Sequence, residues 1–532
     1  TTGDYQVRHS PLLGRLVPKG GKYGYDLIAH VGVQTFLEGR ALQDIATELR
    51  LLNIPFSSLH DLMLKFLYYF GHLHRQYAAP LLRDGFQQHA KSVWLMDATV
   101  EPGTPAFFGV LDAESGLCLE AWKIPTESAD DIAPCLHEAT ARFGRPHEVL
   151  HDLGDAMAAA CEAVWGSAVA HRACHFHLLR DIGEDLYAEP QAALRALVRK
   201  LKLQPRLKEQ RRGQSVWLRD HVEDPTSLAQ LLIGRATKVP ADVLGREVLV
   251  AVHQWILDYP SDGRRQGYPF DPYLLYLHRR VSRAAAALER LLDEPAVRHR
   301  VPQVLGNLWR MLQDYLNDKR VKKAADEFEH AWQLFTRLRT AMRLSSRGGS
   351  PLHDPYALEA EQNAAMQQAL EALREEFRNQ AENCAEPSYA VRYAIIVDHL
   401  DRYWSMLFPA ASEERTTNRL ESHWAKVKRY CRQRHGRKKL TLDFQCLPPE
   451  IMLIPNLQNP QCVERILGDL SHLPAKLALT GQSAPPWTYW RNRQKTRTVG
   501  RLPQRLLRQE NLIDRLVAIY EEQCQPEDAE AA

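Results

Sequence analysis

Apolar residues recur at helical spacing in the first part of the chain. The pattern predicts a helix over 25–37, a second over 41–52 and a third after the break at Asn53-Ile54-Pro55, capped by Ser57 or Ser58. The apolar face of the third helix consists of Leu59, Leu62, Met63 and Phe66. Two helices, a tight turn and a third helix outline a helix-turn-helix DNA-binding region, although a plain helical bundle gives the same pattern.

From Ser92 the pattern changes to that of short strands. The apolar run over 93–96 ends at Asp97, a second strand covers 106–111, and turn-forming residues over 112–116 lead to a third strand over 117–124. A helix from Ser128, a strand over 148–151, a helix over 155–164, a strand over 169–174 and a helix from His177 follow. This element order predicts an α/β ribonuclease-H-like core with a mixed five-stranded sheet.

The pattern divides the chain into five parts. Residues 1–88 are the helical region and 89–188 the first part of the core; 189–410 are an all-α insertion with loop clusters at 259–272 and 345–355. Residues 411–445 contain the final helix of the core, and 446–532 form a basic C-terminal region with an acidic tail.

Two aspartates follow predicted strands that should be neighbours in this sheet. Asp97 ends the first strand and Asp152 the fourth, so their side chains are expected to share one cleft. Asp155 is the alternative to Asp152, but its place at a helix start favours a capping role. Either strand-end aspartate could also be a turn residue, which is our interpretation of Asp112.

A third carboxylate is expected from the helix that resumes at Asn418. The core-facing stripe of that helix consists of Leu420, Trp424, Val427 and Cys431. Glu421 flanks the stripe, although Asn418 and Glu421 also fit a capping box in which the glutamate only bonds the backbone. We predict that Asp97, Asp152 and Glu421 are catalytic and bind two Mg²⁺ ions, for which Mn²⁺ could substitute.

Composition indicates a soluble globular protein, with 45% hydrophobic and 25% charged residues. No apolar run reaches the roughly 18 residues that span a bilayer, and nine scattered cysteines without a C-x-x-C pair favour a reducing cytoplasm. The net charge is only +3, but basic residues are concentrated over 195–212, 422–439 and 491–508. Such blocks can neutralise phosphates or form solvated faces.

Three segments in this order resemble the DDE transposases of the Mutator-like superfamily and related bacterial insertion sequences. They are His151-Asp152-Leu153-Gly154-Asp155, Cys174-His175-Phe176-His177 and Thr416-Thr417-Asn418-Arg419-Leu420-Glu421-Ser422. The resemblance covers roughly residues 90–190 and 410–440. It implies a ribonuclease-H-like core, a C-x-x-H motif after the second Asp, a helical insertion before the Glu, and a homo-oligomer acting on double-stranded DNA, both element ends and target, without a membrane partner.

The C-x-x-H motif admits several interpretations. The resemblance implies that Cys174 and His177 shape the active-site region, which Asn418 also supports. A structural zinc site needs four ligands, and no second Cys/His pair stands at zinc-finger spacing. Cys174 could also be a buried strand residue and His177 a helix cap.

A cationic ridge is expected beyond Glu421, on a continuation of the same helix. Its residues are Lys426, Lys428, Arg429, Arg432, Arg434, Arg437, Lys438 and Lys439, and we predict that they bind the DNA backbone. Trp487, Tyr489 and Trp490 could stack on unpaired bases or anchor the chain to a core. A ribonuclease-H-like nuclease without strand transfer, and a non-catalytic DNA-binding protein derived from a transposase, remain alternative functions.

Overall fold

A mixed sheet of five strands lies at the centre of the first hydrophobic core in this computed structural model. The strands are Val93–Thr99 (β1), Ala106–Asp112 (β2), Cys118–Ile124 (β3), Glu148–His151 (β4) and Ala170–Ala173 (β5). They are ordered β3-β2-β1-β4-β5. β1 pairs antiparallel with β2 and parallel with β4, β2 pairs antiparallel with β3, and β4 pairs parallel with β5. The predicted ribonuclease-H-like strand topology is therefore confirmed.

The structure describes residues 10–89, 92–222, 227–233, 241–264, 266–294, 303–344, 358–408, 414–483, 511 and 514–518. The predicted basic block over 491–508, the loop cluster over 345–355, the acidic tail and the aromatic residues Trp487, Tyr489 and Trp490 lie outside these ranges. Within them, no helix combines the length and the apolar character that crossing a membrane requires.

The central strand β1 is apolar because both of its faces are covered. Trp94 packs edge-on against Trp165 of helix α6 (Asp155–Trp165), with ring centres 5.9 Å apart. The opposite face of the sheet receives helix α16 (Asn418–His435). The turn after β2 forms as predicted: Asp112 Oδ2 accepts hydrogen bonds from the N–H and hydroxyl of Ser115 at 2.8 and 2.7 Å.

The helical N-terminal region is also confirmed. It contains α1 (Pro11–Gly14), α2 (Tyr25–Phe36), α3 (Leu42–Glu48), a 3₁₀ turn (Leu49–Leu52) and α4 (Phe56–His89). The predicted apolar face of α4 is fully buried, and Gly32 of α2 gives room to the Phe66 ring, which a Cβ there would approach to 2.0 Å. Helix α4 contributes residues from Leu59 to Ala78 to the first hydrophobic core, and DNA binding by this region stays a prediction.

A large helical segment after the sheet confirms the expected all-α insertion. Its helices are α7 (His175–Lys200), α8 (Leu203–His221), α9 (Ser227–Leu232), α10 (Ala241–Leu257), α11 (Tyr273–Asp293), α12 (Gln303–Leu316), α13 (Lys319–Ala341), α14 (Ala360–Asn383) and α15 (Pro387–Leu407). They share a second hydrophobic core. Because α7 runs unbroken from the end of β5, the insertion extends directly from the sheet.

The chain returns to the first core through α16. This helix ends at His435 because Gly436 adopts a left-handed conformation with φ +64°. The prediction that Arg437, Lys438 and Lys439 continue the helix is therefore wrong. The first core also contains α5 (Ala129–Phe143), α17 (Thr441–Cys446), a buried 3₁₀ segment (Pro449–Gln458), α18 (Pro460–Leu467), a 3₁₀ turn (Leu470–His472) and α19 (Leu473–Ser483).

Candidate active site

Asp97 lies inside the central strand, with only 9% of its surface exposed. β1 continues to Thr99, so Asp97 is not at the strand end as predicted. The parallel pairing with β4 stops at Leu95, however, and leaves β1 unpaired on that side next to Asp97. Asp97 Oδ1 accepts the N–H of Ala98 at 2.9 Å, and Oδ2 accepts the indole N–H of Trp424 at 3.2 Å.

Asp152 follows β4 directly, as predicted. Its Oδ1 accepts the N–H of Gly154 at 3.2 Å, a local turn that orients the carboxylate. The alternative candidate, Asp155, is the first residue of α6, with a side chain that is 91% exposed and 3.3 Å from Arg402. The structure thus places Asp152 next to the sheet and Asp155 at the surface.

Glu421 lies in the first turn of α16, beside the core-facing stripe. The stripe residues Leu420, Trp424, Val427 and Cys431 are all buried, as predicted. The capping-box alternative is wrong, because the N-cap is Thr417 without a side-chain capping bond, and Asn418 is a buried first helical residue. The Glu421 side chain is 36% exposed, and its Oε1 lies 3.4 Å from Nε2 of His177.

The three carboxylates influence one another electrostatically. Burial raises the pKa of Asp97 to about 7; the charge of His177 opposes this rise, and the charges of Glu421 and Asp152 add to it. Across the described residues, however, no group of three or more His, Cys, Asp or Glu side chains is arranged so that it could hold a metal ion. The acidic residues therefore share one electrostatic environment without being arranged as metal ligands.

Cys174 connects the C-x-x-H motif to the start of α16. It is fully buried directly before α7, where its Sγ accepts hydrogen bonds from the N–H and hydroxyl of Thr417 at 3.3 and 3.4 Å. The Thr417 hydroxyl also lies 3.5 Å from Nδ1 of His177. Hydrogen bonds thus hold the C-x-x-H motif, which precedes the insertion, to the start of the helix that carries Glu421, which follows it.

His177 is buried between Cys174 and the carboxylates, and its pKa is raised above the usual value. Burial alone would lower the pKa of His177, but the charge and hydrogen bond of Cys174 and the charges of Glu421 and Asp97 raise it to about 9. In turn, burial would raise the pKa of Cys174, but His177 and the hydrogen bonds from Thr417 outweigh burial and lower it. An imidazolium at this position can hold Glu421 and offset part of the negative charge.

His175, between these two residues, belongs to a different environment. Its Nε2 lies 2.8 Å from the carbonyl oxygen of Leu407. Burial and the charges of Arg172 and Arg415 lower the pKa of His175 to about 3. A neutral histidine bonded to the backbone is not poised with Cys174 and His177 as a common set of zinc ligands.

A short segment, Glu414 to Thr417, ties the insertion to the site. The buried Arg415 donates hydrogen bonds to the carbonyl oxygens of Met342 and Arg343 at 2.7 and 2.9 Å, at the end of α13. Its own carbonyl accepts the N–H of His175 at 3.0 Å. The position of α16 therefore depends on contacts with both the insertion and the C-x-x-H motif.

The predicted DNA-binding cations occupy two settings. Lys426, Arg429 and Arg432 are exposed on α16, and Arg437, Lys438 and Lys439 are exposed in the segment after it. Lys428 is partly buried, with its Nζ 3.9 Å from Oε1 of Glu101. The side chain of Arg434 lies outside the described part of the chain.

Sequence reasoning assigned no role in this site to three of its residues. Trp424 appeared only as part of the apolar stripe, yet its indole N–H reaches Asp97. Gly109 of β2 pairs with Asp97 in the sheet, and Thr417 joins Cys174 to α16. The need of a buried indole for a hydrogen-bond acceptor was the one signal that could have pointed to Trp424.

Comparison with protein-family models gave no match, and comparison with curated proteins gave none. What the chain does is therefore argued from its sheet topology and from the chemistry of these side chains.

Proposed function

We propose that this chain is a DDE-type DNA transposase, similar to those of the Mutator-like superfamily and related bacterial insertion sequences. The supporting observation is that the fold brings Asp152, after a strand, and Glu421, on a helix after a long insertion, near the buried Asp97, where their charges add to the rise in the pKa of Asp97 that burial causes. Burying like charges near one another costs free energy unless a cation offsets them. Strongly perturbed carboxylates of this kind are typical of functional sites.

The donor set fits divalent magnesium. Mg²⁺ prefers oxygen ligands and keeps several waters, so three carboxylates are sufficient protein ligands. Each Asp97 oxygen accepts one hydrogen bond and retains a second lone pair. Among the described residues, the ion pair that these three carboxylates form is the one between Glu421 and His177. None of the three carboxylates pairs with a Lys or Arg there. Asp97, Asp152 and Glu421 would hold two Mg²⁺, or Mn²⁺, in an arrangement that differs from the present one, in which no three of the described His, Cys, Asp or Glu side chains could hold a metal ion.

The reaction consists of two in-line phosphoryl transfers. A water oxygen attacks phosphorus at an element end, and the bond to the 3′ oxygen breaks. The freed 3′-hydroxyl then attacks a target phosphodiester, which loses its own 3′ oxygen as the leaving group. Two bound cations would neutralise charge on the attacking and leaving oxygens. Asp97 lies within β1 and Asp152 directly after β4, while Nε2 of His177 lies 3.4 Å from Oε1 of Glu421.

Double-stranded DNA is the proposed substrate because of the cations beside the site. Lys426, Arg429 and Arg432 are exposed on the helix that carries Glu421. Contacts of Lys and Arg with phosphates orient DNA without reading its sequence. DNA bound along α16 would therefore present a phosphodiester bond to the three carboxylates.

The test uses a plasmid that carries the genomic sequence flanking the gene, incubated with the full-length protein and Mg²⁺ or Mn²⁺. Cleavage at discrete ends and joined products are measured for the parent, Asp97→Asn and Glu421→Gln. Both variants should lose both products, because several kcal/mol of lost transition-state stabilisation correspond to about a thousandfold in rate. DNA binding, measured by electrophoretic mobility shift, should stay at the parental level.

Each other outcome has a defined meaning. Cleavage that depends on Asp97 without any joined product would identify a nuclease rather than a transposase. DNA binding without cleavage in the parent would identify a non-catalytic DNA-binding protein. Parental cleavage in either variant would remove that residue from the site.

A further inference from the structure

Positive charge is concentrated on the all-α insertion where α7 ends and α8 begins. Residues 195–212, which we call the α7–α8 corner, contain eight Lys or Arg residues and a single acid, Glu209. Seven of the eight cations are exposed, and Arg211 is partly buried. Among the described residues, the ion pairs of α7 and α8 lie outside the corner, and none of its cations takes part in one.

The cations face solvent because the apolar residues of the corner belong to the second hydrophobic core. Leu194 and Val198 of α7, and Leu203 and Leu207 of α8, are buried there. Arg212 lies about two and a half turns beyond Leu203, and therefore on the opposite side of α8. The corner thus presents its charge from a backbone that the core holds in place.

Helix stability explains only part of this arrangement. The basic residues in the last turn of α7 are favourable next to the negative end of its helix dipole. Lys202 and Arg206 instead lie at the start of α8, whose first turn contains no acid and whose dipole favours anions. These two cations are four residues apart, as are Lys208 and Arg212, and like charges at this spacing repel each other. An anionic partner would relieve both effects.

The backbone of Lys202 is also in an unfavourable conformation. Its φ is +51°, in the left-handed region that glycine adopts at less cost. Lys202 is the N-cap residue of α8, but its side chain forms no capping bond. The turn between the two helices therefore gives no reason for a lysine at this position, whereas its charge adds to the corner.

We propose that the α7–α8 corner is a second surface for double-stranded DNA, separate from α16, and that it binds the phosphate backbone. The inference rests on the proposed function, which makes DNA the partner. Residues 195–212 include no aromatic side chain that could stack on unpaired bases. The leucines of these helices are buried in the core, so no apolar face is left for a membrane surface. Contacts between Lys or Arg and the phosphates of a duplex fit this chemistry.

Helix α7 connects the corner to the candidate active site. Arg199 lies about 33 Å from His177 along the axis of this helix, at about 1.5 Å per residue. One turn of duplex DNA covers a similar distance, roughly 34 to 36 Å. A duplex lying alongside α7 would therefore reach the corner about one turn away from the phosphodiester bond at the three carboxylates.

The test measures binding of a mixed-sequence DNA duplex by the full-length protein in EDTA, so that neither cleavage nor bound metal contributes. Fluorescence anisotropy at several salt concentrations gives the slope of log K against log salt. The double variant Lys208→Gln, Arg212→Gln should reduce this slope by about 1.8, the value for two phosphate contacts. Lys202→Gly should reduce it by about 0.9, while its Tm stays at the parental value or rises because glycine tolerates the left-handed backbone.

The matched control removes two cations elsewhere on the insertion. Arg310 of α12 and Lys322 of α13 are exposed, and each has an aspartate four residues further along its helix. The double variant Arg310→Gln, Lys322→Gln changes the net charge as much as the double variant at the corner. Its slope should stay at the parental value.

The possible results separate the corner from the proposed function. Duplex binding by the parent, with a parental slope in the double variant Lys208→Gln, Arg212→Gln, would overturn the role of the corner and leave the proposed function standing. A parent that binds no duplex would overturn both. An equal reduction in the control would mean that net charge sets the slope, and would overturn the inference. Tighter binding of an RNA duplex, or of vesicles containing phosphatidylserine, that is lost in the same variants would overturn the choice of DNA as the partner.

Discussion

Two groups of carboxylates in the first core differ in how their negative charge is balanced. On β3, Glu120 is 1% exposed and accepts two hydrogen bonds from Arg75, at 2.8 and 2.9 Å, and another from Arg142. Arg75 also bonds Glu450 at 3.0 Å. On β1, Asp97 is also buried, but its charged neighbours are two further carboxylates and one histidine.

The difference shows which carboxylates have their negative charge balanced by other groups of the protein. Around Glu120 the guanidinium groups supply both positive charge and donors, so this cluster needs nothing from solution. Among the described residues, the three carboxylates of the Asp97 group bond neutral donors and one histidine, His177. The group around Asp97 therefore has less positive charge within the protein than the Glu120 cluster, and this contrast is one argument for the proposed function.

The two histidines of the C-x-x-H segment follow the same division. His175 lies near Arg172 and Arg415, and its pKa is lowered to about 3. His177 lies near Cys174, Glu421 and Asp97, and its pKa is raised to about 9. Two positions along one helix therefore separate a histidine whose pKa is lowered from one in the candidate site whose pKa is raised.

The largest expected effect comes from two aspartates three residues apart. Asp152→Asn removes a carboxylate from the uncompensated group and should reduce DNA cleavage by about a thousandfold. Asp155→Asn removes a surface carboxylate paired with Arg402, and should change cleavage by less than about twofold. Initial cleavage rates at saturating Mg²⁺ measure both. Equal losses would mean that the contrast between these positions has no catalytic meaning.

Substitutions in the charge-balanced group around Glu120 should change the free energy of unfolding instead of cleavage. Glu120→Gln leaves Arg75 and Arg142 without their shared carboxylate and should reduce the free energy of unfolding by about 3 kcal/mol. Glu138→Gln, which removes a half-exposed partner of Arg142, should cost less than about 1 kcal/mol. Urea denaturation measures both variants. A similar small loss in the two would show that the Glu120 cluster does not stabilise the core.

The sheet was predictable because its signals are local. Alternation, apolar runs and the turn at Asp112 fix the strands, and the order of elements then limits the topology to few choices. The same reasoning placed Asp152 correctly at the end of β4. It failed at the end of α16, where Gly436 outweighs the run of cations that suggested a longer helix.

The details of the site were not predictable, because they depend on contacts between distant segments. The bond from Trp424 to Asp97 needs Gly109 on a third element, and the bond from Thr417 to Cys174 spans the whole insertion. The capping box at Asn418 was a sound local expectation, but the tertiary contacts of Thr417 determine where the helix begins. Local pattern predicts elements, whereas tertiary packing decides which atoms meet.

A smaller effect is expected from pH through His175. Its folded pKa, about 3, is below the usual 6.5, so its contribution to stability is complete above pH 6.5 and is lost as the pH falls toward 3. Between pH 7 and pH 5 the parent should lose about 2 kcal/mol more than His175→Gln, which can still donate to the Leu407 carbonyl. Urea denaturation at both pH values tests this difference, and identical losses would contradict a neutral, buried His175.

The smallest effect concerns two adjacent cations of α16, and it extends the comparison from carboxylates to their partners. Arg429 is exposed, whereas Lys428 lies 3.9 Å from Glu101 and part of its charge is already offset inside the protein. If DNA binds along this helix, Arg429→Gln should reduce the slope of log K against log salt by about 0.9, the value for one phosphate contact. Lys428→Gln removes the same charge but should change the slope less. Fluorescence anisotropy with a duplex between 50 and 200 mM salt, the range over which such slopes are usually resolved, compares the two. A larger change for Lys428 would mean that its pair with Glu101 opens on binding, and that the compensated cation is the one that faces DNA.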